Sequence, residues 1–317
     1  MSRAASISVL LPVFWRARTP QAERELRRAL DSVLGQEYPE AVEVLLIDDG
    51  SPAPVADAFK GTAYTTDARL RWLRLPRNNG LVHALNTGLV AARHELIARI
   101  DADDAWRPGK IEKQLRLFEA DPDLTITATG MRLVHANGEP DIDHVRPGDW
   151  QGILRFFRTV GCPFPHGSVL GLRSVFRLLG GYSHDPRFSH CEDFNLWGTW
   201  LRFFKPVMLE EVLYDYTVSA TSVSATHAEP QRLASRRVQR TFLDLGDTRR
   251  IPAALEAVSR IAGLSLLESG ALCHQAWKHR QPGRLPVAAL EHLRVLMPDR
   301  TLLVAGGTSA ATRVTFV

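Results

Sequence analysis

Short, mainly apolar runs alternate with helical patterns through the first hundred residues. The runs lie at 7–12, 42–47, 70–75 and 96–100, and the helical patterns at 26–34 and 81–92. Apolar runs without a regular polar alternation are typical of strands buried on both faces, and strands of that kind joined through helices form parallel sheets. The pattern predicts an α/β fold in which helices cover both faces of a mostly parallel sheet.

The rest of the chain continues this pattern less regularly. Further helices are predicted after Pro108, at 149–158 and at 192–204, and further strands at 124–131, 168–172 and 207–213. Beyond residue 226 the pattern is helical to residue 298. We expect an α/β domain over 1–226 and a mainly helical extension over 227–317. The extension packs on the domain, forms a homodimer contact or touches a membrane.

Composition narrows the class of protein. The 317 residues are 45% hydrophobic and 23% charged, with a net charge of +4, which is ordinary for a globular chain. The basic bias is not concentrated within the first 220 residues, so it does not indicate a nucleic-acid partner. No apolar run reaches the roughly 18–20 residues of a membrane span. The N-terminal residues do not have the pattern of a signal peptide. The three cysteines lack the spacing of a metal site, which favours free thiols and a cytoplasmic location.

A dense group of arginines lies early in the predicted extension. It comprises Arg232, Arg236, Arg237, Arg240, Arg249 and Arg250. Such a group is typical of a solvated helix face, and the alternative is contact with anionic lipids. A peripheral position at the inner face of the membrane is therefore left open beside a purely cytoplasmic one.

Three carboxylates follow the apolar run that ends at Ile100. They are Asp101, Asp103 and Asp104. Their mutual repulsion opposes folding, and a divalent cation would relieve it. Mg²⁺ or Mn²⁺ held by one or two carboxylates and by substrate phosphates commonly stabilises a diphosphate leaving group. The simpler alternative is a solvated acidic turn.

Other candidate binding residues follow the neighbouring strands. Pro12 and Phe14 lie at the exit of the first strand, Asp49 at the end of the second, and Arg77 and Asn79 just before the helix at 81. In parallel sheets ligands bind beyond the carboxyl ends of the strands. There an aromatic ring can stack on a base, a carboxylate can accept its N–H, and arginine can pair with phosphate. The structural alternatives are that Phe14 is a core residue, that Asp49 caps the following helix or turn, and that Arg77 and Asn79 lie in a surface turn.

Glu192 and Asp193 open the aromatic helix predicted at 192–204. A carboxylate in a first helical turn is stabilised by the helix dipole and often only caps the helix. The functional alternative is a general base, because a sugar hydroxyl loses its proton as it attacks an anomeric carbon. His190 is a second base candidate or a surface residue, and His166, in a proline-rich loop, is assigned no chemistry.

Taken in order, these motifs resemble bacterial family 2 glycosyltransferases, which have the GT-A fold with a Rossmann-like nucleotide-binding half. The resemblance covers about residues 5–224. The matching segments are 7–14, 46–51, 79–81, 84–88, 101–104, 108–117, 166–168, 179–182 and 192–197.

The resemblance implies roles for the candidate residues. The exit of the first strand and Asp49 hold the nucleotide base, Asp101 lies by the ribose or phosphates, and Asp103 binds Mn²⁺ or Mg²⁺. Asp104 shares either task, Asp193 is the general base, and Glu192 lies near the acceptor. The implied reaction is an inverting transfer from a nucleotide-diphosphate sugar, with UDP expected. Its acceptor is a glycan, a lipid-linked molecule or another hydroxyl compound.

The sequence departs from the family pattern after the last strand. Many relatives carry arginine and histidine where this chain has Thr217 and Ser219, and His227 replaces the histidine only if the loop has another shape. A non-catalytic nucleotide-sugar-binding or scaffold protein of the same fold is therefore one alternative. A sugar-phosphate nucleotidyltransferase is another, disfavoured because residues 12–18 lack its glycine-rich phosphate loop.

Overall fold

The first half of the central sheet follows the predicted strand–helix alternation. The structure is a computed structural model that describes residues 6–38, 41–135, 139–219, 226–243, 248–279, 283–284, 287–296, 302–305 and 313–316. In it β1 (Ile7–Val13), β2 (Val42–Asp48), β3 (Leu70–Arg74) and β4 (Leu96–Arg99) are joined through α1 (Pro20–Leu34) and α2 (Leu81–Ala91). These strands lie in the order β3-β2-β1-β4, and every neighbouring pair is parallel. The predicted α/β class is confirmed.

Beyond β4 the sheet is mixed. The next elements are β5 (Ala105–Trp106), α3 (Lys110–Ala120), β6 (Leu124–His135), β7 (Ile142–His144), α4 (Trp150–Thr159), β8 (Leu170–Leu172), α5 (Arg173–Leu179), α6 (Glu192–Phe203) and β9 (Lys205–Val218). The order continues β4-β8-β6-β9-β5, and β7 pairs with β6. β8 runs antiparallel to both neighbours, whereas β6 and β9 are parallel. The sequence did not predict this change of direction, because a strand buried on both faces has the same apolar pattern in either orientation.

The C-terminal extension packs on the α/β part. Its helices are α7 (Ala228–Leu243), α8 (Ile251–Ala262), α9 (Leu266–His279) and α10 (Leu290–Leu296). The rings of His274 and Trp277 in α9 lie 5.5 and 5.9 Å from that of Phe203 in α6. None of the helices within the described ranges combines the length and apolar character needed to span a membrane.

The extension also contains strands that the sequence analysis did not predict. These are β10 (Gly283–Arg284), β11 (Leu302–Ala305) and β12 (Arg313–Phe316), which form a small antiparallel sheet. The expected helical character therefore describes most of this extension but not its end.

The turn after β2 lies directly against the turn after β3. Gly50 has φ +71°, and a Cβ atom there would lie 2.2 Å from the backbone carbon of Arg77. Only glycine fits a turn with both this conformation and this close approach. The two turns are thereby held together at the carboxyl edge of the sheet, where ligands of such folds bind.

We expect Gly50→Ala to lower the free energy of unfolding by about 3 kcal/mol, because left-handed strain and overpacking add together. Urea denaturation measures this loss. Gly61→Ala is the matched control, since Gly61 has φ +74° with no atom within 4 Å of the added Cβ, and it should cost only about 1 kcal/mol. Equal losses in the two variants would contradict the role of the Arg77 contact.

Candidate active site

A large cavity opens at the carboxyl edge of β4 and extends toward the start of α6. Its volume is about 850 Å³, and its lining includes five predicted site residues: Asn79, Asp101, Asp103, Glu192 and Asp193. These residues lie just before α2, in the turn after β4 and in the first turn of α6. The fold thus brings together segments more than a hundred residues apart in sequence.

Arg99 forms the charged floor of this cavity. The guanidinium, whose side chain is 3% exposed, donates to both carboxylate oxygens of Asp101, one of them at 2.6 Å. This bidentate pair fixes the orientation of the first carboxylate of the acidic turn. Burial raises the pKa values of Asp103, Glu192 and Asp193, and the charge of Arg99 opposes each of these rises. One buried cation therefore acts on both groups of carboxylates.

Asp103 is the member of the acidic turn best suited to hold a cation. It lines the cavity, and its carboxylate makes no ion pair with any residue of the described ranges. Burial, and next the charge of Asp101, raise the pKa of Asp103 to about 6. A cation at the carboxylate would offset that repulsion.

The donor set fits a metal that is completed by substrate. In the part of the chain that the structure describes, no group of three or more His, Cys, Asp or Glu side chains is arranged to hold a metal. A cation bound by Asp103 would take its other ligands from phosphate oxygens and water, which suits Mg²⁺ and Mn²⁺ bound with a nucleotide.

Asp104 turns away from the cavity and ties the acidic turn to β9. Its carboxylate is buried and accepts hydrogen bonds from the Tyr214 hydroxyl and, at 2.7 Å, from the Thr217 backbone N–H. The Thr217 hydroxyl in turn donates to the Asp103 carbonyl at 2.5 Å, and Arg28 of α1 donates to both Thr217 and that carbonyl. In this geometry Asp104 positions the turn, and the predicted nucleotide contact from it would require these bonds to break.

The carboxylate of Asp49 also has its hydrogen-bond partners within the protein. The oxygens accept from the backbone N–H groups of Asn79 and Gly80 at 3.1 and 2.8 Å. Burial raises the pKa of Asp49, opposed by these two bonds. Asp49 therefore holds the entrance of α2 in place, and its predicted contact with the base stays a prediction.

The remaining predicted nucleotide contacts lie outside the cavity lining. Pro12 is buried within β1, Phe14 is 38% exposed just beyond that strand, and Arg77 donates to Asn79 at the surface. An exposed aromatic ring at a strand exit is available for stacking on a base. Its position is compatible with the prediction, and no contact tests it.

Glu192 and Asp193 occupy the first turn of α6. The Asp193 carboxylate accepts from the Phe194 N–H at 2.7 Å and lies 3.7 Å from the Cys162 Sγ. Burial raises the pKa of Asp193, and burial together with the Asp193 charge raises the pKa of Glu192 to about 7. A buried carboxylate with a raised pKa is a stronger proton acceptor than an ordinary surface carboxylate.

Several cavity residues were missed by the sequence analysis. Arg146 donates to the Cys162 carbonyl at 2.9 Å and lies within electrostatic reach of Asp193. His166 also lines the cavity, and its Nε2 atom lies 2.8 Å from the hydroxyl of Tyr182, which is not part of the lining. Burial, aided by the Arg99 charge, holds the pKa of His166 well below its usual value, which keeps the ring neutral. The sequence could have indicated Arg99 as a site residue, since a charged residue inside a buried apolar run requires a partner. No sequence pattern indicated Arg146.

The histidines near the rim form a stacked pair. His190 lines the cavity with φ +64°, and its ring lies 4.2 Å from that of His227. Whether His227 replaces the family histidine depends on a segment, 220–225, that lies outside the described residues. Ser219, which the sequence analysis aligned with that histidine, directly follows β9.

Comparison with known proteins identifies the family. The model of "Glycosyl transferase family 2" matches residues 8–178, more than half of the chain. The chain belongs to glycosyltransferase family 2. The amylovoran biosynthesis glycosyltransferase AmsE of Erwinia amylovora is 29% identical over 192 residues, which cover 60% of this chain and 67% of AmsE. This chain aligns with 62% of one further glycosyltransferase relative and with 30% of another. Parts of both relatives therefore have no counterpart in this chain.

Solved structures of glycosyltransferases share the GT-A fold with this family 2 chain. S. aureus TarS 1–349 in complex with UDP-GlcNAc aligns at 15% identity with a TM-score of 0.56, over 88% of this chain and 93% of TarS. The mannosyltransferase PcManGT from Pyrobaculum calidifontis, in complex with GDP-Man and Mn²⁺, aligns at 18% identity with a TM-score of 0.53. That alignment covers 93% of this chain and 86% of PcManGT.

We expect Arg99→Met to lower the free energy of unfolding of this glycosyltransferase by about 3 kcal/mol, because Asp101 loses the partner of a largely buried ion pair. Urea denaturation of a double-mutant cycle with Asp101→Asn provides the test. The double variant should be more stable than Arg99→Met alone, since it no longer leaves an unpaired carboxylate. Strict additivity of the two losses would contradict the coupling.

Proposed function

We propose that this protein is an inverting, metal-dependent glycosyltransferase. It moves a sugar from a nucleotide-diphosphate sugar, with UDP as the expected nucleotide, to a hydroxyl group of an acceptor. The observation that carries the proposal is that Asp103 and Asp193 line one cavity. A cation-binding carboxylate suits the leaving diphosphate, and a buried carboxylate suits the attacking hydroxyl.

The donor side of the cavity suits a diphosphate. Leu81 and Val82, in the first turn of α2, line the cavity beside Asn79 and Gly80. A helix amino end favours anions through its free N–H groups and its dipole. Asp101, held by Arg99, and Asp103 complete this wall. When bound at Asp103, Mn²⁺ or Mg²⁺ supplies positive charge to the departing diphosphate.

The reaction balances as a single displacement. The acceptor oxygen bonds to the anomeric carbon on the face opposite the leaving group, and the bond from that carbon to the diphosphate oxygen breaks. The hydroxyl proton moves to the Asp193 carboxylate, and the diphosphate leaves with the electron pair. Because attack and departure occur on opposite faces, the anomeric configuration inverts.

The acceptor side comprises Arg146, Phe188, His190 and Glu192 around Asp193. Mixed aromatic, cationic and acidic side chains suit a polar ligand such as a sugar. AmsE is named for amylovoran biosynthesis, which supports a glycan or a lipid-linked glycan as acceptor here. The proposal places this transfer in the cytoplasm, where nucleotide sugars are the activated donors.

We expect UDP to raise the melting temperature of the protein when Mn²⁺ is present, because a ligand of the native state stabilises it. Asp103→Asn should abolish the shift, since a neutral amide binds the cation far more weakly. Differential scanning fluorimetry measures both.

Asp185→Asn is the matched control for the loss of one cavity carboxylate. Asp185 lines the same cavity but pairs with Arg187, so this variant should keep the shift. If neither UDP nor another nucleoside diphosphate shifts the wild type with any divalent metal, the transferase proposal is wrong.

We expect the initial rate of sugar transfer by the wild type to rise with pH over a range above that of an ordinary carboxyl group, because burial raises the pKa values of Asp193 and its neighbour Glu192. The raised pKa values keep this pair partly protonated at pH values where an ordinary carboxyl is ionised, so the base is lost as the pH falls. Asp193→Asn should slow transfer by roughly 100-fold or more and remove the pH-dependent rise. Nucleotide binding should stay nearly intact, and unchanged transfer would exclude Asp193 as the base.

A further inference from the structure

Helix α7 presents an arginine-rich face to solvent. Ala234 and Val238 are buried, whereas Arg232, Leu233, Arg236, Arg237 and Arg240 are all exposed. At 100° per residue these five exposed positions fall within one side of the helix. The sequence analysis left the group open as a solvated face or a lipid contact, and the structure now gives its arrangement.

Most of this positive charge is not neutralised by neighbouring carboxylates. Arg232 pairs with Glu229 at 2.6 Å. Arg236, Arg237 and Arg240 make no ion pair with any residue in the described ranges, and with Leu233 and Thr241 they line a shallow groove of about 320 Å³. Three guanidinium groups that make no ion pair in the described ranges, within about one helical turn, suit a surface with several negative charges.

Apolar side chains accompany the arginines. Leu233 is 54% exposed in the middle of the cationic face, and Val160, at the end of α4, is 66% exposed. The end of α4 packs beside α7, since Gln239 donates to the Phe157 carbonyl at 3.2 Å. A soluble polyanion gains nothing from these side chains, whereas the headgroup region of a bilayer accommodates both arginine and leucine.

The cationic face adjoins the rim of the active-site cavity. Arg237, at one edge of the face, donates to the Arg187 carbonyl at 3.0 Å, and Arg187 lies between Pro186 and Phe188 of the cavity lining. Gln231, which also lines the cavity and donates to the His190 carbonyl at 3.0 Å, lies on the opposite side of α7. A surface bound to the cationic face would therefore approach the cavity from the Arg237 edge.

We propose that α7 docks this protein onto an anionic phospholipid membrane through Arg236, Arg237, Arg240 and Leu233. The arginines bind lipid phosphates, and Leu233 enters the headgroup region. Docking holds the cavity rim close to the bilayer, so the acceptor is a hydroxyl compound anchored in that bilayer. This last step rests on the proposed transferase function, whereas the membrane contact itself does not.

The contact is tested by flotation of the 317-residue chain with vesicles. Binding is expected with mixed phosphatidylglycerol and phosphatidylcholine and not with phosphatidylcholine alone. It should weaken strongly at about 0.5 M NaCl, where exposed charges are screened over a few ångströms. The triple variant Arg236→Glu/Arg237→Glu/Arg240→Glu should bind at least about 100-fold more weakly, since each arginine contributes about fivefold. Leu233→Ser should weaken binding by about tenfold.

A matched control separates this face from net charge. Arg24→Glu/Lys60→Glu/Arg116→Glu changes the total charge by the same amount at exposed positions elsewhere in the chain, and it should bind anionic vesicles like the wild type. All variants should keep the UDP and Mn²⁺ thermal shift, which shows that they fold.

Two results overturn the proposal: no binding of the wild type to anionic vesicles, or equal losses in the two triple variants. Binding to inorganic polyphosphate without vesicle binding would also overturn it and would make the face a polyanion site. Vesicle binding without any nucleotide-induced thermal shift would leave the docking proposal standing and remove the transferase proposal.

Discussion

The ion pair between Arg99 and Asp101 is the interaction on which the candidate active site depends. The acidic turn brings three carboxylates to the end of one strand, and such an arrangement repels itself. Arg99 places a positive charge beneath that turn, almost fully excluded from water, and holds Asp101 by two hydrogen bonds. Its charge also reaches Glu192 and Asp193 on another element. The site is thus one electrostatic unit rather than two separate acidic clusters.

Around this unit, buried polar contacts fix the turns in place. Asp104 bonds to Tyr214 and Thr217, and Asp49 bonds to the two residues that precede α2. Both aspartates therefore fix the backbone that carries the neighbouring site residues. The hydrogen-bond donors around them offset the free-energy cost of burying these two carboxylates. Thr217 contributes to this framework through its backbone N–H and its hydroxyl.

The parallel half of the sheet could be predicted from the sequence because its signal is local. The run from Ile7 and the run from Val42 are apolar without alternation, and polar residues follow each strand at its carboxyl end. Asp103 and Asp193 could be proposed for the same reason, since each stands at the end or start of an element. Contacts such as Asp104 with Tyr214 or Arg146 with Cys162 join distant parts of the chain. They depend on the pairing of β5 with β9 and on the loop after α4, which no local pattern encodes.

The change of strand direction between β4 and β8 has an evolutionary consequence. The donor wall, from Asn79 to Asp103, belongs to the parallel half and lies within the segment that matches the family. Phe188, His190, Glu192 and Asp193 come after that segment and stand on the loop before α6 and on its first turn. Evolution can therefore vary Phe188 and His190, and with them what this second wall admits, without altering the wall from Asn79 to Asp103. Under the proposed function, proteins that diverge in this way would keep the activated donor and differ in the molecules they modify.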